Sequence, residues 1–282
     1  MKFQSKILIC VLTNLLIFSP LFPQEKSMRI MTYNIRYANE NPGEEWSTRK
    51  YLISEMIKFH KPDIFGVQEA LKIQIDFLTE NFMDFYWVGV GRENGDKEGE
   101  YSAIFVNKKF TLIDNGTYWL SQTPDYPSIG WDAAFKRLVT WVKVFNPSTL
   151  DTLIVLNTHF DHISKTARKN SSSLILEKTK PFISNFPVIL MGDFNDTDTS
   201  DFYKILTKNN IIQNAQYQPN VTDYGTSITF NGFGTDFGEG KIDFIFVNNK
   251  IKVLRHGIIG DKIKGQYASD HMPVIIDFVI IK

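Results

Sequence analysis

The sequence predicts an α/β fold built as one domain, and three observations carry that prediction. Apolar strand-like runs alternate along the chain with segments of helical apolar spacing. The 282 residues are 43% apolar and 14% aromatic, enough material for a large core. No linker, low-complexity tract or internal repeat divides residues 28–282.

The elements follow in order. "MRIMTYNI" (28–35) has strand composition and ends in Asn34 to Arg36. In "STRKYLISEMIKFH" (47–60) the apolar residues Leu52, Ile53, Met56, Ile57 and Phe59 recur at helical spacing, with Ser47 as the expected N-cap. "IFGVQEA" (64–70) is a buried strand ending in Gln68 and Glu69, and "LKIQIDFLTENF" (71–82) is a helix. From 85 to 160 the chain is β-rich, through "YSAIFV", "FTLIDNGTYWL", "RLVTWVKVF" and "DTLIVLNTHF". The third alternates, with Leu138, Thr140, Val142 and Val144 against Val139, Trp141, Lys143 and Phe145. A connection as long as 121–136 implies function or disorder, and its Trp and Phe favour function. A helix over 164–184, the strand 187–191, a short helix over 200–209 and a Gly- and aromatic-rich loop (225–240) come next. The strands "KIDFIFVN", "KVLRHGII" and "MPVIIDFVII" close the chain.

Lys2 and Lys6 flank the start of the apolar run "ILICVLTNLLIF" (7–18), which "SPLFPQEKS" then breaks. Residues 1–24 are therefore expected to be an export signal, leaving domain 25–282 periplasmic or extracellular. A retained anchor is the alternative, although a membrane span needs about 20 apolar residues. The single cysteine, Cys10, lies in this segment, so the folded domain carries no disulfide and no thiol chemistry. Losing 1–24 takes two of the 31 basic residues and none of the 31 acidic ones, a balance of −2. Such a surface has no strong basic field for gripping a long polyanion.

Polar groups collect at strand ends: Asn34, Glu69, His159 with Asp161, Asp193 with Asn195, Asp243, and Asp270 with His271. Singly, each has an ordinary structural explanation, a turn or cap for Asn34 and Asp193 or a core histidine for His159 and His271. Together they describe strand ends converging on one cleft. Asp243, between Ile242 and Phe244, needs a partner if it is buried. In "VILMGDFND" (188–196), Phe194 is expected to face the core while Asp193 and Asn195 face the cleft, with Gly192 letting the backbone turn. Carboxylates and amides are hard oxygen ligands suited to Mg²⁺, with Mn²⁺ as a substitute. Paired-His zinc spacing, a G-x-S-x-G elbow and a P-loop are all missing from the sequence. Acids, a cation and two histidines without a protein nucleophile point to attack by water on a phosphate ester.

In order, "TYNIR", "VQEA", "NTHFDH", "GDFN", "KIDFIF" and "SDHMPV" resemble the signature blocks of the endonuclease/exonuclease/phosphatase (DNase I-like) superfamily, over about 28–280. "GWDAAFKRLVTWVKV" and the doubled His of "NTHFDH" look like secreted bacterial members with nocturnin-like motifs. The resemblance implies a four-layer αββα sandwich with two packed, mostly antiparallel sheets, and a Mg²⁺-dependent hydrolase of phosphoric esters. Carried over by position, it makes Glu69 the main metal ligand, with Asn34 beside it and Asp270 completing the metal region. Asp193 would position or deprotonate the water, and Asn195 would donate to a phosphoryl oxygen. His271, oriented by Asp243, and His159 would face the phosphate, with Glu100 as a partner for His159. Arg137 is a phosphate-binding candidate, its alternative being an exposed strand-start arginine. Asp161 and His162 are expected at the cleft rim, and Trp131, Phe233 and Phe237 are stacking candidates. Trp46 is read as loop packing.

The charge balance favours a small phosphorylated metabolite, nucleotide or short single strand as substrate, without an obligate protein partner or stable membrane insertion. A secreted DNA or RNA nuclease is the alternative, which should show basic residues along a groove. A catalytically inactive binding module of the same fold is a third reading, and it predicts loss of a core acid or histidine. Every such position is filled.

Overall fold

The computed structural model describes residues 27–281; the expected signal segment 1–24, with Cys10, lies outside them. In chain order the strands are β1 (Met28–Asn34), β2 (Ile64–Ala70), β3 (Phe85–Val88), β4 (Tyr101–Asn107), β5 (Thr111–Trp119), β6 (Leu138–Asn146) and β7 (Asp151–His159). They continue as β8 (Val188–Asp193), β9 (Ile212–Asn214), β10 (Thr222–Gly225), β11 (Asp243–Asn248), β12 (Ile251–Ile258) and β13 (Val274–Ile280). The helices are α1 (Trp46–His60), α2 (Lys72–Asn81), α3 (Lys165–Ile183) and α4 (Asp201–Leu206).

Two sheets result, ordered β10-β12-β13-β1-β2-β4-β3 and β5-β6-β7-β8-β11-β9. Residues from both, among them Ile30, Ile104, Val142, Val155, Ile189 and Ile276, form one core between them. Helices α1 and α2 cover the outer face of the first sheet through Ile53, Met56, Ile75 and Leu78. Helices α3 and α4 cover the second through Ile175, Phe202 and Leu206. The layers are therefore αββα, and most strand pairs are antiparallel. β1–β2, β7–β8 and β10–β12 are the parallel pairs. Among the described residues no helix is long and apolar enough to cross a membrane.

Strand parity decides what reaches the cleft, because successive side chains point to opposite faces. Met28 and Ile30 of β1 face the inter-sheet core, so Asn34, an even number of residues on, faces the same way at the strand's end. The same count takes Leu153 and Val155 to His159, Ile189 and Met191 to Asp193, and Val247 and Ile245 to Asp243. Just below this edge Gln68 Nε2 donates to Thr32 Oγ1 (2.9 Å) and Asn157 Oδ1 (2.6 Å). Asn157 Nδ2 in turn donates to the carbonyls of Val67 (3.0 Å) and Ala103 (2.9 Å). The Asn157 amide and the Gln68 amide nitrogen thus tie the two sheets together one step beneath the site, while Gln68 Oε1 has no hydrogen bond among the described residues.

Two local expectations are corrected. Helix α1 begins at Trp46, with Glu45 as the capping residue; Ser47 lies inside the first turn, its hydroxyl bonded to Glu40 (2.8 Å). Burial of Trp46 edge-on to Phe77 (5.7 Å) accounts for the earlier start. Gly192 makes no turn, since it lies within β8, paired to Thr158 of β7. Its φ is +149°, and a Cβ there would sit 2.0 Å from the Thr158 carbonyl oxygen. Glycine is required by the close approach of two backbones. Gly192→Ala should therefore cost about 3 kcal/mol of stability, read as a lower urea midpoint at unchanged slope. An unchanged midpoint would show that β7 and β8 can separate freely here.

Candidate active site

Parity alone would send Glu69 to the helix-covered face, because Gln68 before it points into the inter-sheet layer. A bulge prevents this. The β2–β4 register shifts between Val67 and Ala70, and Glu69 adopts φ +62°. The extra residue re-aims the carboxylate toward the cleft, a recurrent use of bulges beside active sites. Asn34 Nδ2 donates to Glu69 Oε1 (3.0 Å) and the Tyr37 N–H to Oε2 (3.2 Å).

Asp193 is the centre of the constellation. Its Oδ2 accepts from Asn34 Nδ2 (2.9 Å) and lies 3.4 Å from His159 Nε2 and 3.8 Å from His271 Nε2. Its Oδ1 accepts the Asn195 N–H (2.9 Å). Burial, and then the charge of Asp243, push the Asp193 carboxyl up to about 7, against the opposing pull of His271. His271 Nδ1 meets Asp243 Oδ2 at 2.9 Å, which gives Asp243 the partner its burial demands. Burial acts downward on His271, but Asp243 and Asp193 outweigh it and hold the imidazole well above its ordinary range, as a cation. His159 is the opposite case: burial, then Arg137, hold it well below that range and therefore neutral. The two histidines flanking Asp193 thus differ in charge.

Asn195 adopts φ +51°, and its Nδ2 donates to the Phe160 carbonyl (2.9 Å). That leaves the second N–H of the amide for another acceptor. Phe194 is buried with Phe160, Phe202, Phe244 and Phe246, so the opposite facing of Phe194 and Asp193 is as the sequence suggested.

These groups line a cleft of about 510 Å³. Arg137 lines it too and is buried rather than an exposed strand start. Its Nη2 faces His162 Nδ1 (3.3 Å) and its Nε lies 3.8 Å from Asp161 Oδ2, while Nε and Nη1 make no hydrogen bond among the described residues. Glu100 stands 3.9 Å from His159 Nδ1 and also accepts from Arg92 Nη1 (2.6 Å), so it lies between the two. Asp161 is not a rim residue: it is buried beneath the wall. Its oxygens accept the N–H groups of Ala134, Ile163 and Ser164 (3.0, 3.1 and 2.8 Å). His162 does line the cleft. Trp131, Phe233 and Phe237 do not line it. Trp131 sits at φ +53° with its N–H on Gln122, and Phe233 lies over the Arg49 guanidinium (5.5 Å). Trp46 is packed as read. Sequence reasoning missed Arg92, Phe135 and Tyr37, which also line the cleft. Only the position of Arg92, in the glycine-rich loop leading to Glu100, could have signalled its role.

The donor set suits a hard divalent cation. Glu69, His159 and Asp193 each offer one ligand atom, all within 4.8 Å of one another. Asn34 stands beside Glu69, and Asp270, expected to complete the metal region, lines the same cleft. Asn34 turns its amide nitrogen toward the two carboxylates, and its oxygen accepts the Arg36 N–H (3.0 Å). Asp270 meets Glu69 only across Arg36, whose guanidinium is 3.7 Å from both.

The chain matches the model of the Endonuclease/Exonuclease/phosphatase family over residues 31–271. An endonuclease/exonuclease/phosphatase family protein from Bacteroides thetaiotaomicron superposes with a TM-score of 0.86 at 34% identity, over 92% of this chain and 100% of that one. A mannosyl-6-phosphatase from Bacteroides thetaiotaomicron VPI-5482 gives 0.85 at 35% identity, over 90% and 100%. An uncharacterised protein of Acanthamoeba polyphaga mimivirus is 29% identical over 257 residues, 83% of this chain and 92% of that protein.

Proposed function

Because the chain belongs to the endonuclease/exonuclease/phosphatase family, whose members hydrolyse phosphoester bonds, we propose that it is a Mg²⁺-dependent phosphomonoesterase acting on a small phosphorylated metabolite. The observation that carries this reading is Arg137. Its guanidinium is buried in a cleft of about 510 Å³, its carboxylate neighbour Asp161 stays 3.8 Å from Nε, and Nε and Nη1 make no hydrogen bond among the described residues, which suits an anion arriving in the cleft. A terminal phosphate, with two charges and three free oxygens, supplies one. Similarity to the mannosyl-6-phosphatase supports the same class.

Glu69 would hold Mg²⁺ at the edge of the site that His159 and Asp193 also face, with Mn²⁺ able to substitute. Bound there, the ion would supply charge neutralisation at the phosphoryl oxygens. Asp193 accepts the proton of the attacking water, a task suited to a carboxyl whose affinity for protons is raised by burial. His271, cationic and oriented by Asp243, faces the phosphoryl group, and the free N–H of Asn195 stabilises its growing charge.

A panel of aryl phosphate monoester, aryl diester, poly(A), duplex DNA and sphingomyelin, each with Mg²⁺ and with EDTA, tests the reading. Monoester hydrolysis that needs Mg²⁺ and disappears in EDTA is expected. Faster cleavage of poly(A) or duplex than of the monoester would replace it with the nuclease reading. We further propose that residues 1–24 direct export, which the N-terminal sequence of protein recovered outside the cytoplasm would check.

A further inference from the structure

The cleft has a wall that the proposed chemistry leaves unused. It is formed by the end of the 121–136 connection and by the turn after β7. Phe135 lies there 45% exposed, yet its backbone is fixed, because Asp161 Oδ2 accepts the N–H groups of Ala134 (3.0 Å) and Phe135 (3.4 Å). The other oxygen of Asp161 holds the N–H groups of Ile163 and Ser164, so one buried carboxylate also fixes the turn that carries His162. The Phe135 and His162 rings stack, with centroids 5.7 Å apart and planes 19° from parallel. The Arg92 guanidinium lies over the Phe135 ring at 5.1 Å and is itself gripped by Glu100. Three segments distant in sequence are thus drawn into one stacked column beside Arg137.

We propose that the Phe135–His162 pair is the leaving-group subsite, and that a pyranose ring packs against its exposed aromatic surface while Arg92 and Glu100 reach its hydroxyls. This rests on the phosphomonoesterase reading and names the substrate class within it, a hexose phosphate. A pyranose presents C–H faces that pack on aromatic surface and hydroxyl edges that need both donors and acceptors. The column offers an aromatic surface, a guanidinium and a carboxylate side by side. Its preorganisation by Asp161 removes the ordering cost that a mobile loop would impose on binding.

The test compares wild type, Phe135→Ala and Phe135→Trp on mannose 6-phosphate, glycerol 3-phosphate and adenosine 5′-monophosphate. Glycerol 3-phosphate carries the same scissile group without a ring. Phe135→Ala should raise KM for mannose 6-phosphate about tenfold at unchanged kcat. It should move the glycerol 3-phosphate constants by less than about twofold, and Phe135→Trp should restore the wild-type KM. Equal effects on both substrates, or none, would overturn the subsite. An effect confined to the nucleotide would overturn its assignment to a sugar. Failure of the wild type to hydrolyse any of the three would instead remove the phosphomonoesterase reading, and that is seen before any variant is made.

Discussion

Asp193→Asn should lower kcat about a thousandfold while leaving KM near the wild-type value. The amide keeps the shape of the side chain and its contact with the Asn195 N–H, but cannot take a proton from water. The loss therefore falls on the transition state and not on ground-state binding. A residual rate within a factor of about ten of wild type would move the base elsewhere in the cleft.

The same substitution should shift the stability of the metal-free protein in the variant's favour as pH rises, on top of a constant loss from the Asn34 hydrogen bond that Asp193 Oδ2 accepts. The folded carboxyl titrates at about 7, raised by burial. A carboxyl raised on folding binds its proton more tightly in the native state. Its ionisation therefore costs native stability as pH climbs from the unfolded carboxylate range through about 7. Asparagine cannot ionise. In chelator, the melting temperature of Asp193→Asn relative to wild type should rise between pH 4 and pH 8. A difference that stays constant or falls over that range would show that Asp193 does not ionise at a cost in the folded protein.

His271→Ala should behave in the opposite sense. It removes the imidazolium facing the phosphate, with an expected loss in kcat of about 10²- to 10⁴-fold. It also strips Asp243 of its partner. Among the described residues the Oδ1 of that carboxylate already has no hydrogen bond, and the residue is buried. An uncompensated buried charge costs about 3–5 kcal/mol. Adding Asp243→Asn should return much of the stability and none of the activity. If the single variant unfolds at the wild-type denaturant concentration, the Asp243–His271 pair does not carry the weight assigned to it.

Most of the site was legible because alternation is a local property. Once 28–35, 151–160, 187–191 and 241–248 are read as strands with one face inward, Asn34, His159, Asp193 and Asp243 must emerge on the same side. Glu69 was legible only through its motif. Its facing depends on a bulge and a positive φ, and neither leaves a glycine or proline in "VQEA" to announce it. The loop residues were harder still. Phe135 faces the cleft and Trp131 does not because Asp161, distant in sequence, captures the N–H groups of residues 134 and 135. A contact of that range has no period to read. Glu100 has a second partner that was hidden for a related reason: Arg92 returns to it across a loop bend, closer than His159 on the neighbouring sheet.

The pairing of β1 with β13 also bears on how the enzyme comes into being. Asn34 and His271 end within 3.5 Å of each other although 237 positions separate them. On the ribosome, Asn34 is made among the first residues of the domain and waits through almost the whole of translation for its neighbour. Contacts this remote place the chain among slow-folding topologies, with the loop-closure entropy met before the pairing rewards it. A chain that stops before His271 lacks one of the two histidines that flank Asp193. The centre is complete only once the segment leading into the final strand lies beside the end of the first.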